Sequence, residues 1–185
     1  MSAGSGAGLG VAVAVAAVAS VVAPVLVFGW GNLSRGDDAL GPLLIERLRA
    51  LAPDQPWADA VELLDDYQLQ VEHALDLAGR QRVLFVDASL DGAAPFAVSL
   101  LSAAQDASYT THAMSPQAVM HVYGQLHQAA SPPCTLLAIR GMRFELGELP
   151  GAAALAHLEA ALQWAVDWLG PAAGRSASSA DRAPG

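Results

Sequence analysis

Short apolar runs alternate with longer stretches of helical spacing along most of the chain. Runs rich in Val, Leu, Ile and Phe predict strands at residues 25–28, 60–64, 82–87 and 134–139, and a weaker run at 95–103 predicts a further strand at a sheet edge. The run at 82–87 is apolar almost throughout, which is typical of a strand buried on both faces. The alternation of strands with helices predicts βαβ units around a mostly parallel sheet.

Four helical segments separate or follow these strands. The first carries one apolar stripe and has Pro42 in its first turn, where a missing N–H costs little. A second is predicted over residues 71–79, a third from Ser115-Pro116 to about Gln128, and the last over about 151–169. The stripe of the first helix consists of Leu40, Leu44, Leu48 and Leu51. The predicted fold class is α/β, a single three-layer domain in which helices flank a central sheet of about five strands.

The length and composition agree with one folded domain. The chain has 185 residues, of which 54% are hydrophobic and 15% charged, and this excludes a chain that is disordered throughout. We place the domain at residues 24–170, with a low-complexity extension at 1–23 and a disordered tail at 171–185. The net charge of −9 disfavours nucleic acid and anionic membranes as partners.

The N-terminal extension contains most of an uncharged stretch at residues 7–29 that is long enough to span a bilayer. No Lys or Arg precedes this stretch, since Arg35 is the first basic residue, and residues 11–23 are mainly Ala and Val. We therefore predict a cytoplasmic protein without a membrane partner. The one cysteine, Cys134, begins a predicted strand and is interpreted as a core residue, which suits a reducing compartment.

Polar side chains follow the predicted strands where an open parallel sheet places its site. Asn32, Asp37 and Asp38 lie in the loop after the first strand, Asp87 ends the strand at 82–87, and His112 precedes the third helix. Two carboxylates and an imidazole can converge at this edge of the sheet. An oxygen, oxygen, nitrogen ligand set with open positions suits a divalent ion such as nickel or zinc.

Other interpretations of single residues stay open at this point. Asp37 or Asp38 could cap the first helix, and Asp87 could be a turn residue. The remaining histidines fall inside predicted helices and are interpreted as surface residues; they are His73, His121, His127 and His157. A dinucleotide loop is disfavoured because Ser34 stands where its third glycine is needed, and Walker, GxSxG and HExxH motifs are absent from the sequence.

The loop GWGNLSRGDDALG at residues 29–41 resembles the signature of the hydrogenase maturation endopeptidases. The resemblance continues at LFVDAS (84–89), THAMSP (111–116) and AIRGMRFELGE (138–148), and it covers residues 25–169 in the same order. The variants NLSRGDDALG and IRGMRFELGE look most like the branch that serves NAD-reducing soluble hydrogenases. Ala39 departs from the glycine that many relatives carry after the acid, and this leaves open whether Asp37 or Asp38 faces the metal.

The resemblance implies a metal-dependent endopeptidase that removes the C-terminal extension of a nickel-loaded [NiFe]-hydrogenase large-subunit precursor. It implies that Asp38, Asp87 and His112 are the metal ligands and the catalytic residues, with the nickel supplied by the precursor rather than held permanently. Gly29, Gly31, Asn32 and Asp37 would contact the substrate. The expected partner is this precursor, and the protease itself is expected to be a monomer.

Two rival functions share much of the same sequence evidence. The first is a nickel-sensing chaperone that binds the precursor without cutting it. The second is a nucleotide- or phosphate-binding α/β domain that uses the glycine loop at a helix N-terminus, although the acidic pair in that loop disfavours an anion.

Overall fold

Five strands form one sheet in the computed structural model, which describes residues 22–105 and 114–170. The strands are β1 (Val25–Trp30), β2 (Val61–Asp66), β3 (Arg82–Ser89), β4 (Phe96–Leu100) and β5 (Cys134–Arg140). Their order across the sheet is β2-β1-β3-β5-β4, with β4 antiparallel to β5 and the other pairs parallel. The predicted α/β class and the predicted edge strand are confirmed.

Three α-helices pack on this sheet within the described ranges. They are α1 (Leu40–Leu51), α2 (Pro116–His127) and α3 (Ala152–Leu169). The α1 helix is preceded by a short 3₁₀ turn, Gly36–Ala39. The N-cap predicted for α2 is present, since the backbone N–H of Ala118 donates to Ser115 Oγ at 3.1 Å. These helices confirm three of the four predicted helical segments.

The prediction of an α-helix over residues 71–79 is wrong. Residues Val71–Leu77 form a 3₁₀ helix, and Gly79 follows in the left-handed region at φ 76°. A segment of seven residues gains few hydrogen bonds for the cost of nucleating a helix. Its conformation is held instead by a capping box between Gln70 and His73.

The core lies on both faces of the sheet, because successive residues of each strand point to opposite sides. Val25 and Val27 pack with α1 and α3. Leu26 and Phe28 pack on the other face, with α2 and the 3₁₀ helix Val71–Leu77. All four side chains are at most 2% exposed. Burial on both faces explains the apolar runs VLVF in β1 and VLFV in β3.

Parts of the predicted organisation lie outside the described residues. These parts are residues 1–21 of the predicted extension, the predicted tail at 171–185, and residues 106–113, which include His112. Within the described ranges, no helix has both the length and the apolar character needed to cross a membrane.

The N-terminus of α1 packs directly on the end of β1 because Gly41 has no side chain. A Cβ atom at Gly41 would lie 2.3 Å from Trp30 O and 2.9 Å from Val86 O, both of them backbone atoms that cannot move aside. This close approach places the residues between β1 and α1 against the end of β3, where Asp87 lies.

Gly41→Ala is expected to reduce the free energy of unfolding by about 1–3 kcal/mol, because the added methyl group forces α1 away from the strand ends. Urea denaturation checks this. The matched control is Gly124→Ala in α2, where the new Cβ would meet only Ala129 O at 3.5 Å and alanine favours the helix. Equal destabilisation by both substitutions would contradict the packing argument.

Candidate active site

The candidate site lies at the carboxyl edge of the sheet between β1 and β3. From β1 the chain crosses to β2 on one side, and it then returns to β3 on the other side of β1. Such a reversal opens a crevice beyond the strand ends, where open α/β sheets bind their ligands. The loop after β1 carries Asn32, Asp37 and Asp38, and Asp87 lies near the end of β3.

Asp87 is a partly buried carboxyl group on β3. It continues the row of Val83 and Phe85 on one face of β3, and its Oδ1 accepts the N–H of Ala88 at 2.8 Å. Burial raises the pKa of Asp87 to about 7; the Ala88 N–H opposes this shift and the charge of Asp38 adds to it. A cation placed between the two carboxylates would relieve both the desolvation and the repulsion.

Asp38 is half-buried and faces this group. Its Oδ2 accepts the backbone N–H of Asn32 at 3.0 Å, which folds the loop back on itself. The charge of Asp38 adds to the raised pKa of Asp87, so the two carboxylates lie close enough to repel each other.

Asp37 is turned the other way and is 1% exposed. Its Oδ2 accepts the N–H groups of Met142 and Arg143 at 2.7 and 3.0 Å, and its Oδ1 accepts that of Gly151 at 2.7 Å. Burial alone would raise the pKa of Asp37, but the three N–H donors and the charge of Arg143 lower it overall. Asp37 therefore anchors the segment at residues 141–151, and its burial does not support the predicted substrate contact.

The backbone of the glycine loop is engaged within the protein. Gly29 is paired with Asp65 of β2 and Val86 of β3, and the N–H of Gly31 donates to Asp66 O at 3.1 Å. Gly31 has φ 143°, and a Cβ there would lie 1.9 Å from Asp38 O. These two glycines shape the loop, so their placement does not support direct substrate contacts through their N–H groups.

Asn32 stays at the surface of the site. Its Oδ1 accepts the N–H of Ser34 at 2.9 Å, and its Nδ2 donates to Tyr67 Oη at 3.2 Å. Asn32 also lines two clefts at this edge of the sheet. Of the four residues predicted to contact substrate, it is the one whose side chain the structure leaves beside open space.

The predicted metal ligand set is described only in part. Asp38 and Asp87 supply two carboxylates, and the third predicted ligand, His112, falls in the gap at residues 106–113. In the two described ranges, no group of three or more His, Cys, Asp or Glu side chains is placed to hold a metal ion. The third ligand of this set therefore remains a prediction.

The sequence-based interpretation of His73 as a surface residue is wrong. His73 is 9% exposed, its ring meets the Phe28 ring edge-on at 4.6 Å between centroids, and its Nε2 lies 3.3 Å from Asp66 Oδ2. No local pattern predicts this, because the carboxylate and the aromatic ring that surround it come from β2 and β1. The core position predicted for Cys134 is confirmed, and burial raises the pKa of its thiol to about 12.

The geometry also bears on phosphate binding. A phosphate-binding loop presents free backbone N–H groups to the anion. Here the N–H of Gly31 is bound to Asp66 O and that of Asn32 to the Asp38 carboxylate, which itself repels an anion. The arrangement favours a cationic ligand over a phosphate.

Comparison with known proteins gives a match by structure and none by sequence. No protein-family model matches the chain. No curated protein matches it in sequence either.

Solved structures of similar fold were found. A [NiFe] hydrogenase maturation protease, HycI, from Thermococcus kodakarensis KOD1 superposes with a TM-score of 0.62 at 21% identity, over 80% of this chain and 92% of that one. The hydrogenase maturating endopeptidase HybD from E. coli superposes with a TM-score of 0.59 at 22% identity, over 78% of this chain and 91% of that one. A hydrogenase 2 maturation peptidase from Thaumarchaeota archaeon SCGC_AB-539-E09 superposes with a TM-score of 0.57 at 23% identity, over 79% of this chain and 97% of that one. The chain therefore shares the fold of the hydrogenase maturation proteases.

Proposed function

We propose that this protein is an endopeptidase that removes the C-terminal extension of a nickel-loaded [NiFe]-hydrogenase large-subunit precursor. The observation that carries the proposal is the pairing of Asp38 with Asp87 at the switch point of this particular fold. The motif resemblance in the loop at residues 29–41 supports it, since that loop supplies Asp38.

The two carboxylates suit a cation that arrives with the substrate. With Asp87 at a pKa of about 7, the empty pair readily holds a proton, which an incoming cation would displace. Asp38, Asp87 and the predicted third ligand His112 would then orient the nickel of the precursor. The bound nickel would polarise the scissile carbonyl or an attacking water molecule.

Recognition of nickel would also give specificity. A precursor without nickel offers the acidic pair no cation, so the complex gains little from Asp38 and Asp87. Water would add to the scissile carbonyl carbon, the C–N bond would break, and a proton would pass to the leaving amine.

A cleavage assay tests the proposal. Purified protein is mixed with nickel-loaded and nickel-free precursors, and the products are weighed by mass spectrometry. We expect loss of a C-terminal peptide from the nickel-loaded form alone. The precursor of a NAD-reducing soluble hydrogenase is the preferred substrate, because the loop motifs resemble that branch.

Two further outcomes separate the rival functions. Binding of the nickel-loaded precursor without cleavage would contradict the protease and favour the chaperone. Thermal stabilisation by a nucleotide, with no precursor binding, would favour the nucleotide-binding domain.

A further inference from the structure

Two clefts beside Asp38 share one exposed aromatic wall. The first is lined by Gly31, Asn32, Leu33, Pro42 and residues 65–67, and the second by Asn32, Arg35, Tyr67 and residues 144–146. Both clefts include Tyr67, whose residue surface is 60% exposed. Tyr67 therefore lies between two open spaces at the carboxyl edge of β1 and β2.

The hydroxyl end of Tyr67 is connected to the acidic pair through one residue. Tyr67 Oη accepts Asn32 Nδ2–H at 3.2 Å, and the backbone N–H of Asn32 donates to Asp38 Oδ2 at 3.0 Å. The ring is thus held in a fixed direction while its surface stays in contact with solvent. An aromatic ring that is already ordered can bind a partner with little further loss of entropy.

The backbone end of Tyr67 is held by Asp66, a partly exposed carboxylate that contacts the buried His73. The Tyr67 N–H donates to Asp66 Oδ1 at 2.5 Å, and Asp66 Oδ2 lies 3.3 Å from His73 Nε2. His73 Nδ1 accepts the N–H of Gln70 at 2.9 Å, which leaves Nε2 as the ring nitrogen that donates toward Asp66. His73 thereby orients the carboxylate that positions Tyr67.

The surroundings indicate the kind of group that Tyr67 contacts. Leu33 and Leu146 each line one of the two clefts and are 59% and 76% exposed. Successive side chains of an extended peptide point in opposite directions, so two clefts separated by one ring match such a segment. Each cleft combines an apolar side chain with charged ones, which are Asp65 and Asp66 in the first cleft and Arg35 and Glu145 in the second.

We propose that Tyr67 contacts substrate directly, against an extended segment of the precursor next to the scissile bond, and that Asp66 and His73 are the pair that positions it. This inference rests on the proposed endopeptidase function and adds a substrate contact that the sequence motifs do not contain. Tyr67 contributes to binding, whereas His73 acts through Tyr67 without touching the substrate.

Steady-state cleavage of the nickel-loaded precursor tests the substrate contact. Tyr67→Ala is expected to raise KM about tenfold with kcat changed less than about twofold, because ground-state binding is lost. Tyr67→Phe keeps the ring but loses the hydrogen bond from Asn32, so its KM should lie between those of the wild type and Tyr67→Ala. The matched control is Leu126→Ala, an exposed apolar residue near the far end of α2, which should change neither parameter. A wild-type KM for Tyr67→Ala would overturn the contact.

A double-mutant cycle tests the positioning role. His73→Gln, with an amide that can still donate toward Asp66, should raise KM less than His73→Ala does. In the Tyr67→Ala background, His73→Gln and His73→Ala should both add almost nothing, since they act through the missing ring. Equal effects with and without Tyr67 would show a merely structural histidine and overturn the pair. If His73→Ala does not fold, the His73→Gln arm decides alone.

Failure of this inference is distinguishable from failure of the proposed function. Affinity for the nickel-loaded precursor is also measured directly by rapid mixing, before cleavage occurs, with and without Tyr67→Ala. A tenfold loss of affinity supports the contact even when the wild type does not cleave, which would contradict only the proteolytic activity. If the wild type cleaves the precursor and Tyr67→Ala changes neither its affinity nor its KM, only the role of Tyr67 is contradicted. A wild type that neither cleaves nor binds the precursor overturns both.

Discussion

Asp87→Asn is expected to lower kcat/KM for cleavage of the nickel-loaded precursor by about 10²–10⁴-fold, the range typical of losing a group that transfers protons or stabilises charge. Asparagine has nearly the same size as aspartate, so the packing beside Phe85 is preserved. What is lost is the negative charge facing Asp38 and the exchangeable proton. Initial rates followed by mass spectrometry measure the effect, and a rate within tenfold of the wild type would contradict the assignment.

The same variant has a second expected signature, in the pH dependence of stability. Burial raises the pKa of Asp87 from 3.8 to about 7 in the folded protein. Between these two values the unfolded chain gives up this proton before the folded protein does. The contribution of Asp87 to stability is therefore fully present below 3.8 and is lost as the pH rises through about 7.

Asp87→Asn removes this titration, so the variant should gain stability relative to the wild type as the pH rises. The gain should approach roughly 1.4 kcal/mol for each pH unit between the two pKa values. Urea denaturation of both proteins at about pH 5 and about pH 8 measures it. The same stability difference at both pH values would show that Asp87 ionises normally.

Asp37→Ala is expected mainly to destabilise the fold, whereas Asp38→Ala is expected mainly to abolish cleavage, although the two residues are adjacent. Asp37→Ala should reduce the free energy of unfolding by about 3–5 kcal/mol, because three backbone N–H groups lose a charged acceptor and the buried site cannot replace it. Asp38→Ala should cost about 1 kcal/mol or less, since the half-buried Asp38 accepts one N–H. Cleavage should be lost in the stable Asp38 variant.

The pH dependence separates Asp37 from Asp87. The N–H donors lower the pKa of Asp37, so its contribution to stability is present above 3.8 and is lost as the pH falls through the folded-state value. Asp37→Asn is the matched variant, because it keeps the volume but places an NH₂ group among donors. Its deficit relative to the wild type should shrink in acid. If the Asp37→Ala variant proved more stable than the Asp38→Ala variant, the structural role would belong to Asp38 and the site role to Asp37.

The predictions that held depend on local patterns. Each predicted strand is a short run rich in apolar residues, and each matches a strand in the structure. Ser115 and Pro116 specify the start of α2 through their own backbone preferences, and the structure shows the predicted cap. The rule that parallel strands end at one edge predicted that the loop carrying Asp37 and Asp38 lies at the same edge of the sheet as Asp87, and the structure places it there.

The predictions that failed concern residues whose partners are distant in sequence. His73 lies in an amphipathic segment, and nothing near it indicates that Phe28 and Asp66 enclose it. Tyr67 was not selected because a lone tyrosine after a strand is an ordinary loop residue until Asn32 is seen to bind its hydroxyl.

The sequence alone determined the class of fold, the order of its elements, and the loop and strand end that carry the acidic residues, because these follow from hydrophobic periodicity and backbone preferences over a few positions. Only the tertiary structure decided which of two adjacent acids faces the site. Asp37 turns inward because Met142, Arg143 and Gly151, more than a hundred positions away, present their N–H groups to it. Asp38 is thereby left facing Asp87, and no local pattern in the chain contains that choice.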